Sequence, residues 1–330
     1  MQAGGMGACG ALLMDPVQIQ EWAADVRRSA TGPFQINLWI PDSPPLRDPS
    51  NEERIRAFLG KWGPPVPVEA GDRTPPDFET QCQAMLDIKP VAISSIMGLF
   101  PASFVERMKD RGIAWFATVT TVTEAWLAAE AGADVIVAQG MEAGGHRGCF
   151  DPRVAEERQV GLLALLPQVV DAVKVPVVAA GGIADARGIA AALLLGASAV
   201  AIGTGFLRCP EAGIPDRWAS ALAASKPEDT MLTRAFSGRA GRSLATEYVR
   251  AAASADAPRP APYPVQRGLT AAMRQDAQQR NDLKGLQAWA GQGAALARAL
   301  PAAALWSQLW AQACDLLANA RIRRAFPGQP

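Results

Sequence analysis

The stretch Gly140-Met141-Glu142-Ala143-Gly144-Gly145-His146-Arg147-Gly148 contains the chain's single histidine. An imidazole titrates near neutrality, so it can take a proton from a carbon acid and return it. The glycines around it let the backbone approach a ligand closely and adopt positive φ. Glu142 and Arg147 place charge of both signs beside the ring. A lone histidine is ordinarily a satisfied core or surface residue. His146 gains weight from its position directly after the apolar run 135–139, because catalytic groups in α/β sheets and barrels gather at the carboxyl ends of strands.

Two further glycine clusters end apolar runs. One is Gly181-Gly182, after 175–180; the other is Ala201-Ile202-Gly203-Thr204-Gly205. Backbone N–H groups in such turns face an anion that a Cβ would block, the chemistry of a phosphate site. Glycines that merely tighten turns would explain one such loop; two in consecutive units favour phosphate. Asn37 lies inside the apolar run 34–40, and Gln139 closes another. Each needs a partner, supplied by backbone or by ligand. The GxGxxG spacing of Gly5 to Gly10 is discounted as a dinucleotide signature, since it runs into a strand instead of leaving one. Trp289, Trp306 and Trp310 are expected to pack helices, and the basic stretch 321–324 to be a solvated helix end.

Elements that could position these residues are visible in the pattern. Apolar runs at 8–13, 34–40, 91–97, 114–119, 135–139, 175–180 and 199–204 read as strands buried on both faces, as in a parallel sheet covered by helices. Helical patterns follow at 15–28, 101–111, 123–131, 160–173 and 185–195, with Thr121 or Thr123 as the N-cap of the third. Repeated βα units mean an α/β sheet with right-handed crossovers, open or closed. Seven strands are counted, whereas a closed (β/α)8 barrel needs eight. Beyond residue 207, helices are expected over 208–253, a proline-rich extended segment over 254–268, and further helices over 269–289 and 294–325.

Composition narrows the function classes. The chain has 330 residues with 32 basic and 32 acidic side chains. A balanced charge offers no electrostatic reason for nucleic acid or an anionic membrane as partner. No uninterrupted apolar stretch reaches the ~20 residues of a membrane span. The first residues carry no positive charge ahead of their apolar run, unlike a secretory signal. The five cysteines are scattered and include no CxxC pair. They suit reduced thiols and a cytoplasmic location, and with one histidine they leave no zinc site.

The segments VAQGMEAGGHRG and PVVAAGGIADARGIAAALLLGASAVAIGTGFL resemble the nitronate monooxygenases. PFQINLWIP, TRAFSGRAGR, APYPVQ and AWAGQG extend the resemblance over almost the whole chain. It implies a TIM barrel that binds FMN and oxidises alkyl nitronates or nitroalkanes with O2 to a carbonyl compound and nitrite. It implies His146 as the catalytic residue, and Asn37, Gln139, Gly144, Gly181, Gly182, Ala201, Ile202, Gly203 and Thr204 as contacts of FMN. The related FMN-dependent enoyl-thioester reductases often carry an acid at the position of Gln139, so glutamine there, with FSGRAGR, favours the monooxygenases. Alternatives are NAD(P)H-dependent reduction of an enoyl thioester or quinone, a non-catalytic remnant, and a flavin-free barrel acting on a phosphorylated substrate. Family members begin with a strand and helix bearing a Q-x-P-M-x-G-like motif, and this chain begins at what resembles the second unit. The expectation is therefore an α/β fold of (β/α)8 TIM-barrel type lacking its first βα unit. Residues 1–207 would form the FMN-binding barrel, with helices of 290–330 returning to it. Residues 208–289 would form a small, mainly helical cap, and homo-oligomerisation is left open.

Overall fold

The computed structural model describes residues 1–319. Seven strands form one parallel sheet: β1 Gly7–Gly10, β2 Phe34–Trp39, β3 Ala92–Ile96, β4 Ala114–Val119, β5 Val135–Gln139, β7 Val177–Ala180 and β8 Ala199–Ala201. They lie side by side in chain order. The two-residue strand β6 Gly145–His146 belongs to a second sheet. The architecture is α/β of the TIM-barrel type, a curled sheet of seven parallel strands whose ends, β1 and β8, are not paired with each other.

The helices of the sheet are α1 Pro16–Ser29, α2 Pro49–Leu59, α3 Phe78–Asp87, α4 Ala102–Lys109, α5 Val122–Glu130, α6 Leu162–Ala172 and α7 Ala186–Leu194. Their starts have local causes. The Asp15 carboxylate accepts the Gln18 N–H while Gln18 returns a bond to Asp15 N, a capping box. Thr121 caps α5, and Asp185 caps α7 through the N–H groups of Arg187 and Gly188. Helices α2 and α3, between β2 and β3, were not anticipated, although Asp48 and Asp77 cap them in the ordinary way.

The expectation of strands buried on both faces holds for β3 and the carboxyl half of β4 and fails in the other strands. In β4 Trp115 is fully buried, and its indole N–H donates to Ser95 Oγ at 3.0 Å. In β2 burial alternates: Phe34, Ile36 and Leu38 pack into the main core, whereas Gln35, Asn37 and Trp39 share the other, half-buried face. Strand period is two, so Asn37 and Trp39 necessarily point the same way. In β8, at an end of the sheet, Ala199 and Ala201 are exposed.

After β8 come α8 Asp216–Ala224, β9 Thr230–Thr233, β10 Gly241–Leu244, α9 Glu247–Ala252, α10 Val265–Leu269, α11 Ala271–Gln279 and α12 Ala302–Ala318. Two expectations are corrected. Residues 230–244 carry strands instead of continuous helix, and they form an antiparallel sheet in the order β6-β10-β9. Residues 280–301 are irregular apart from one short 3-10 turn, Ala294–Leu296. The short sequences TMLT and GRSL carry no apolar run, so only pairing in space makes them strands.

Ile55 and Leu59 of α2 share an apolar cluster with Phe236, Tyr248 and Leu269. Leu305, Leu309 and Ala313 of α12 join the core of the main sheet, and α12 packs along α7. Trp306 lies against Gly4 and Gly5, which are outside any helix, and Trp310, 47% exposed, stacks on Trp306 of the same helix at 6.4 Å, so packing between helices is not what they do. Residues 321–324 and the remainder of 290–330 beyond 319 lie outside the described residues. Among the described residues no helix is long and apolar enough to cross a membrane.

Candidate active site at the mouth of the sheet

Register decides where the functional loops begin. Gln139 pairs with Ala180, and Ala180 with Ala201. The carboxyl ends of β5, β7 and β8 therefore stand in one row, and the loops bearing His146, Gly181-Gly182 and Gly203-Thr204 leave from it together. Residues 289–293 cross the same end. A Cβ on Gly144 would lie 2.5 Å from Gly291 N and 2.8 Å from Thr204 Oγ1. A Cβ on Gly291 would lie 2.6 Å from Glu142 O. Thr204 Oγ1 accepts the Gly291 N–H at 3.0 Å, and Gln292 N–H donates to Glu142 O at 2.9 Å. Only glycine fits these crossings.

Beside that packed wall the backbone opens at Gly203, whereas Cβ atoms on Gly181 and Gly182 would meet Ala143 and Glu142 at 3.1 and 3.2 Å. Gly181 and Gly182 have φ of +109° and +70°, a region L side chains avoid. A Cβ on Gly203 would meet nothing within 4 Å. The N–H groups of Gly182, Gly203 and Thr204 donate to no described residue. Unpaired N–H groups around open space are the donors a phosphate requires.

Glu142 is engaged with the helix that follows its loop. Its carboxylate accepts the Leu162 N–H at 2.9 and 3.0 Å, covering the amino end of α6. The Gln139 amide staples the histidine loop. Its Nε2 donates to His146 O at 3.1 Å, and its Oε1 accepts from Gly148 N at 2.9 Å and Arg147 Nη1 at 3.1 Å. Arg147 Nη1 also reaches Gly140 O at 2.7 Å. Arg147 is buried, with Nε and Nη2 lacking partners among the described residues, and burial lowers its pKa. Asn37 Nδ2 donates to Ser94 Oγ at 2.9 Å and Ser94 O at 3.2 Å, leaving its Oδ1 free to accept.

His146 is presented by β6, where it pairs with Gly241 of β10. Its Nε2 is 2.7 Å from Ser237 Oγ. Trp39 and Trp289 meet the ring edge to face, with centroids at 4.6 and 4.8 Å. Burial, then the charges of Arg239 and Arg267, pushes the imidazole pKa down to about 3. The ring is thus neutral at pH 7. Asp42 grips Arg239 with two bonds, at 2.8 and 2.5 Å. Tyr263 stands 5.3 Å from Trp39, its hydroxyl buried without a partner among the described residues, and burial raises its pKa.

Reading the sequence missed Ser237, Arg239 and Trp39 as neighbours of the imidazole, and treated Trp289 as a helix-packing residue. Trp289 lies outside any helix, bridged to Ser243. The signal was present: all four fall inside segments that carry the family resemblance.

Fold and mouth together define a TIM-barrel-type enzyme with glycine-rich loops and its histidine loop at the carboxyl ends of its strands. The nitronate monooxygenase family model matches residues 1–312, and the chain belongs to that family. It is 36% identical over 313 residues to a nitronate monooxygenase of Paraburkholderia phytofirmans, covering 93% of this chain and 85% of that one. It is 37% identical over 309 residues to a nitronate monooxygenase of Pseudomonas aeruginosa, covering 92% and 88%. The solved nitroalkane oxidase from Streptomyces ansochromogenes superposes with a TM-score of 0.86 at 34% identity, covering 96% of this chain and 90% of its own.

Proposed function

We propose that this protein oxidises alkyl nitronates with O2, giving a carbonyl compound and nitrite, with FMN held at the mouth. The observation that carries the reading is the pairing of two features there: an open cradle of unpaired N–H groups and, in the same mouth, a neutral imidazole flanked by arginines. The N–H groups of Gly182, Gly203 and Thr204 would take the phosphate, with Gly181, Ala201 and Ile202 shaping the approach. Asn37 Oδ1 is an acceptor for the ring system. Gln139 and Gly144 would act through the wall they build, since the Gln139 amide is engaged within its loop at both ends and Gly144 is packed on Gly291. FMN, when bound, supplies the electron transfer from substrate and on to O2.

The chain's own residues set which substrate form is held. The pKa of His146, about 3, makes it a weak base toward a neutral nitroalkane. Arg239 and Arg267, which depress that pKa, favour an anion in the same space. The nitronate, already deprotonated, fits both facts. Trp39 and Trp289 wall the ring on two sides. Residues 1–207 with α12 are assigned to the flavin-binding body and 208–289 to the cap. Five free cysteines, four of them at least half-buried, support a cytoplasmic location.

The test uses flavin-loaded protein in two cuvettes, one with an alkyl nitronate and one with NAD(P)H. Nitronate should bleach the flavin anaerobically and give nitrite in air, and His146→Ala should retain flavin while nitronate turnover falls by roughly 10–100-fold, the worth of one hydrogen bond to an anion. Bleaching by NAD(P)H alone, or protein that stays colourless after FMN is added, overturns the proposal.

A further inference from the structure

Aromatic rings run without a break from the mouth to the surface. Centroid to centroid, Trp289 lies 4.8 Å from His146, Phe236 5.5 Å from Trp289, Tyr248 5.2 Å from Phe236, and Trp62 5.6 Å from Tyr248. Each step is the spacing of contacting rings. Phe236 and Tyr248 are buried. Trp62, just beyond α2, is half-buried and lines an open surface pocket of about 520 Å³. A core needs rings only to exclude water, and phenylalanine or leucine would serve. Here the three oxidisable rings, Trp289, Tyr248 and Trp62, occupy the mouth, the middle and the surface. A second branch, from Trp39 to Tyr263 at 5.3 Å, ends there: among the described residues Tyr263 contacts no further ring, and its buried hydroxyl has no acceptor for the proton an oxidised phenol gives up. The Tyr248 hydroxyl donates to Ala235 O at 2.9 Å, a bond along which the proton can shift and return. Charge sets the direction. Arg239 and Arg267 act on the imidazole, and Arg274 acts on Tyr248, so a positive hole is repelled along the inner path. In the outer pocket Arg280 is paired with Asp276 at 3.2 Å and Lys284 with Glu247 at 3.4 Å.

We propose that Trp289, Tyr248 and Trp62 form a conduit that carries one-electron oxidising equivalents from the mouth to the surface pocket, where a small thiol quenches them. The oxidant is an oxygen-centred peroxyl radical, formed when a nitronate and O2 react by one-electron steps. It takes one electron from Trp289 and one proton from water, and leaves as a hydroperoxide. Trp62 refills Trp289 through Tyr248, and Trp62 Nε1 releases its proton to pocket water. A thiol then returns a hydrogen atom to Trp62, and two thiyl radicals couple to a disulfide. The source of the oxidant rests on the nitronate reading; the path through the rings does not.

The test illuminates the FMN-loaded protein, with bound FMN as photo-oxidant, and follows tryptophanyl radicals by transient absorption and EPR. A long-lived tryptophanyl radical is expected in the native protein. It should be lost in Trp62→Phe, be replaced by a tyrosyl signal in Trp62→Tyr, and be unchanged in Trp126→Phe, an exposed ring of α5 outside the path. In nitronate turnover Trp62→Phe should form nitrite at the native initial rate yet inactivate sooner, with oxidised Trp289 or Trp39 found by peptide mass spectrometry. Added thiol should prolong activity in the native protein and not in Trp62→Phe. A long-lived radical that persists in Trp62→Phe, or its absence from the native protein while nitronate turnover is normal, overturns the conduit and leaves the proposed function standing. The expected radical pattern in a protein bleached by NAD(P)H and not by nitronate would sink the proposed function and leave the conduit standing.

Discussion

On one side of the mouth the loops after β5, β7 and β8 meet residues 289–293 almost entirely through backbone atoms. On the other side, Ser237, Arg239, Trp39 and Trp289 surround the imidazole with side chains. The first wall needs the absence of Cβ atoms, and the second needs particular functional groups. The same kind of change should therefore have different consequences on the two sides. Adding a methyl group damages the backbone wall, and removing a polar atom damages the side-chain wall.

The largest expected effect tests the side-chain wall. Asp42→Asn removes the charge that grips Arg239, whose side chain is only 4% exposed. Breaking a buried pair costs about 3–5 kcal/mol, reduced here because Asp42 is partly open to water. A drop of about 2 kcal/mol in unfolding free energy is expected in urea titrations. A variant as stable as the native protein would show that Arg239 needs no partner.

Next come two substitutions of one kind within the backbone wall. Gly144→Ala puts a methyl 2.5 Å from Gly291 N, and overpacking of this sort costs about 1–3 kcal/mol. Gly203→Ala meets nothing within 4 Å and has a φ of −100°, so melting should be unchanged in the protein without flavin. Its methyl would enter the phosphate cradle, and FMN affinity read by fluorescence quenching should fall at least about 10-fold, roughly one lost hydrogen bond. Equal melting shifts in both variants would erase the contrast between packed wall and open cradle.

A pH dependence tests the setting of the imidazole itself. The folded pKa of His146, about 3, lies below its unfolded value of about 6.5. Between these limits the unfolded chain binds the proton and the folded chain does not. Stability is therefore fully present above about pH 6.5 and is lost as pH falls toward 3. Against His146→Asn as reference, the native protein should lose additional stability over pH 6 to 4 in thermal melts. Parallel curves would place the ring in a more solvated setting.

Much of the catalytic body was legible because its signals are local. Apolar runs at 114–119 and 135–139 coincide with β4 and β5. Asp15, Thr121 and Asp185 cap the helices that their sequence positions suggest. The cap was less legible. Strand β10 contains Arg242 and Ser243, both buried, and it exists because β6 and β9 flank it. Gln139 shows the same limit within the site: a buried amide had to find partners, but whether those were ligand or loop depended on how residues 140–148 fold back.

The order of residues by itself determined the βα grammar, the glycine turns at strand ends and the placement of the only imidazole after β5, because each depends on neighbours within a few positions. The tertiary structure alone decided what that imidazole touches. Ser237 lies 91 residues away and Trp289 further still, and no periodicity relates them. Their meeting follows from chain crossings that pair β6 with β10 and seat Gly291 on Gly144, contacts fixed by packing and hydrogen bonding across the whole fold.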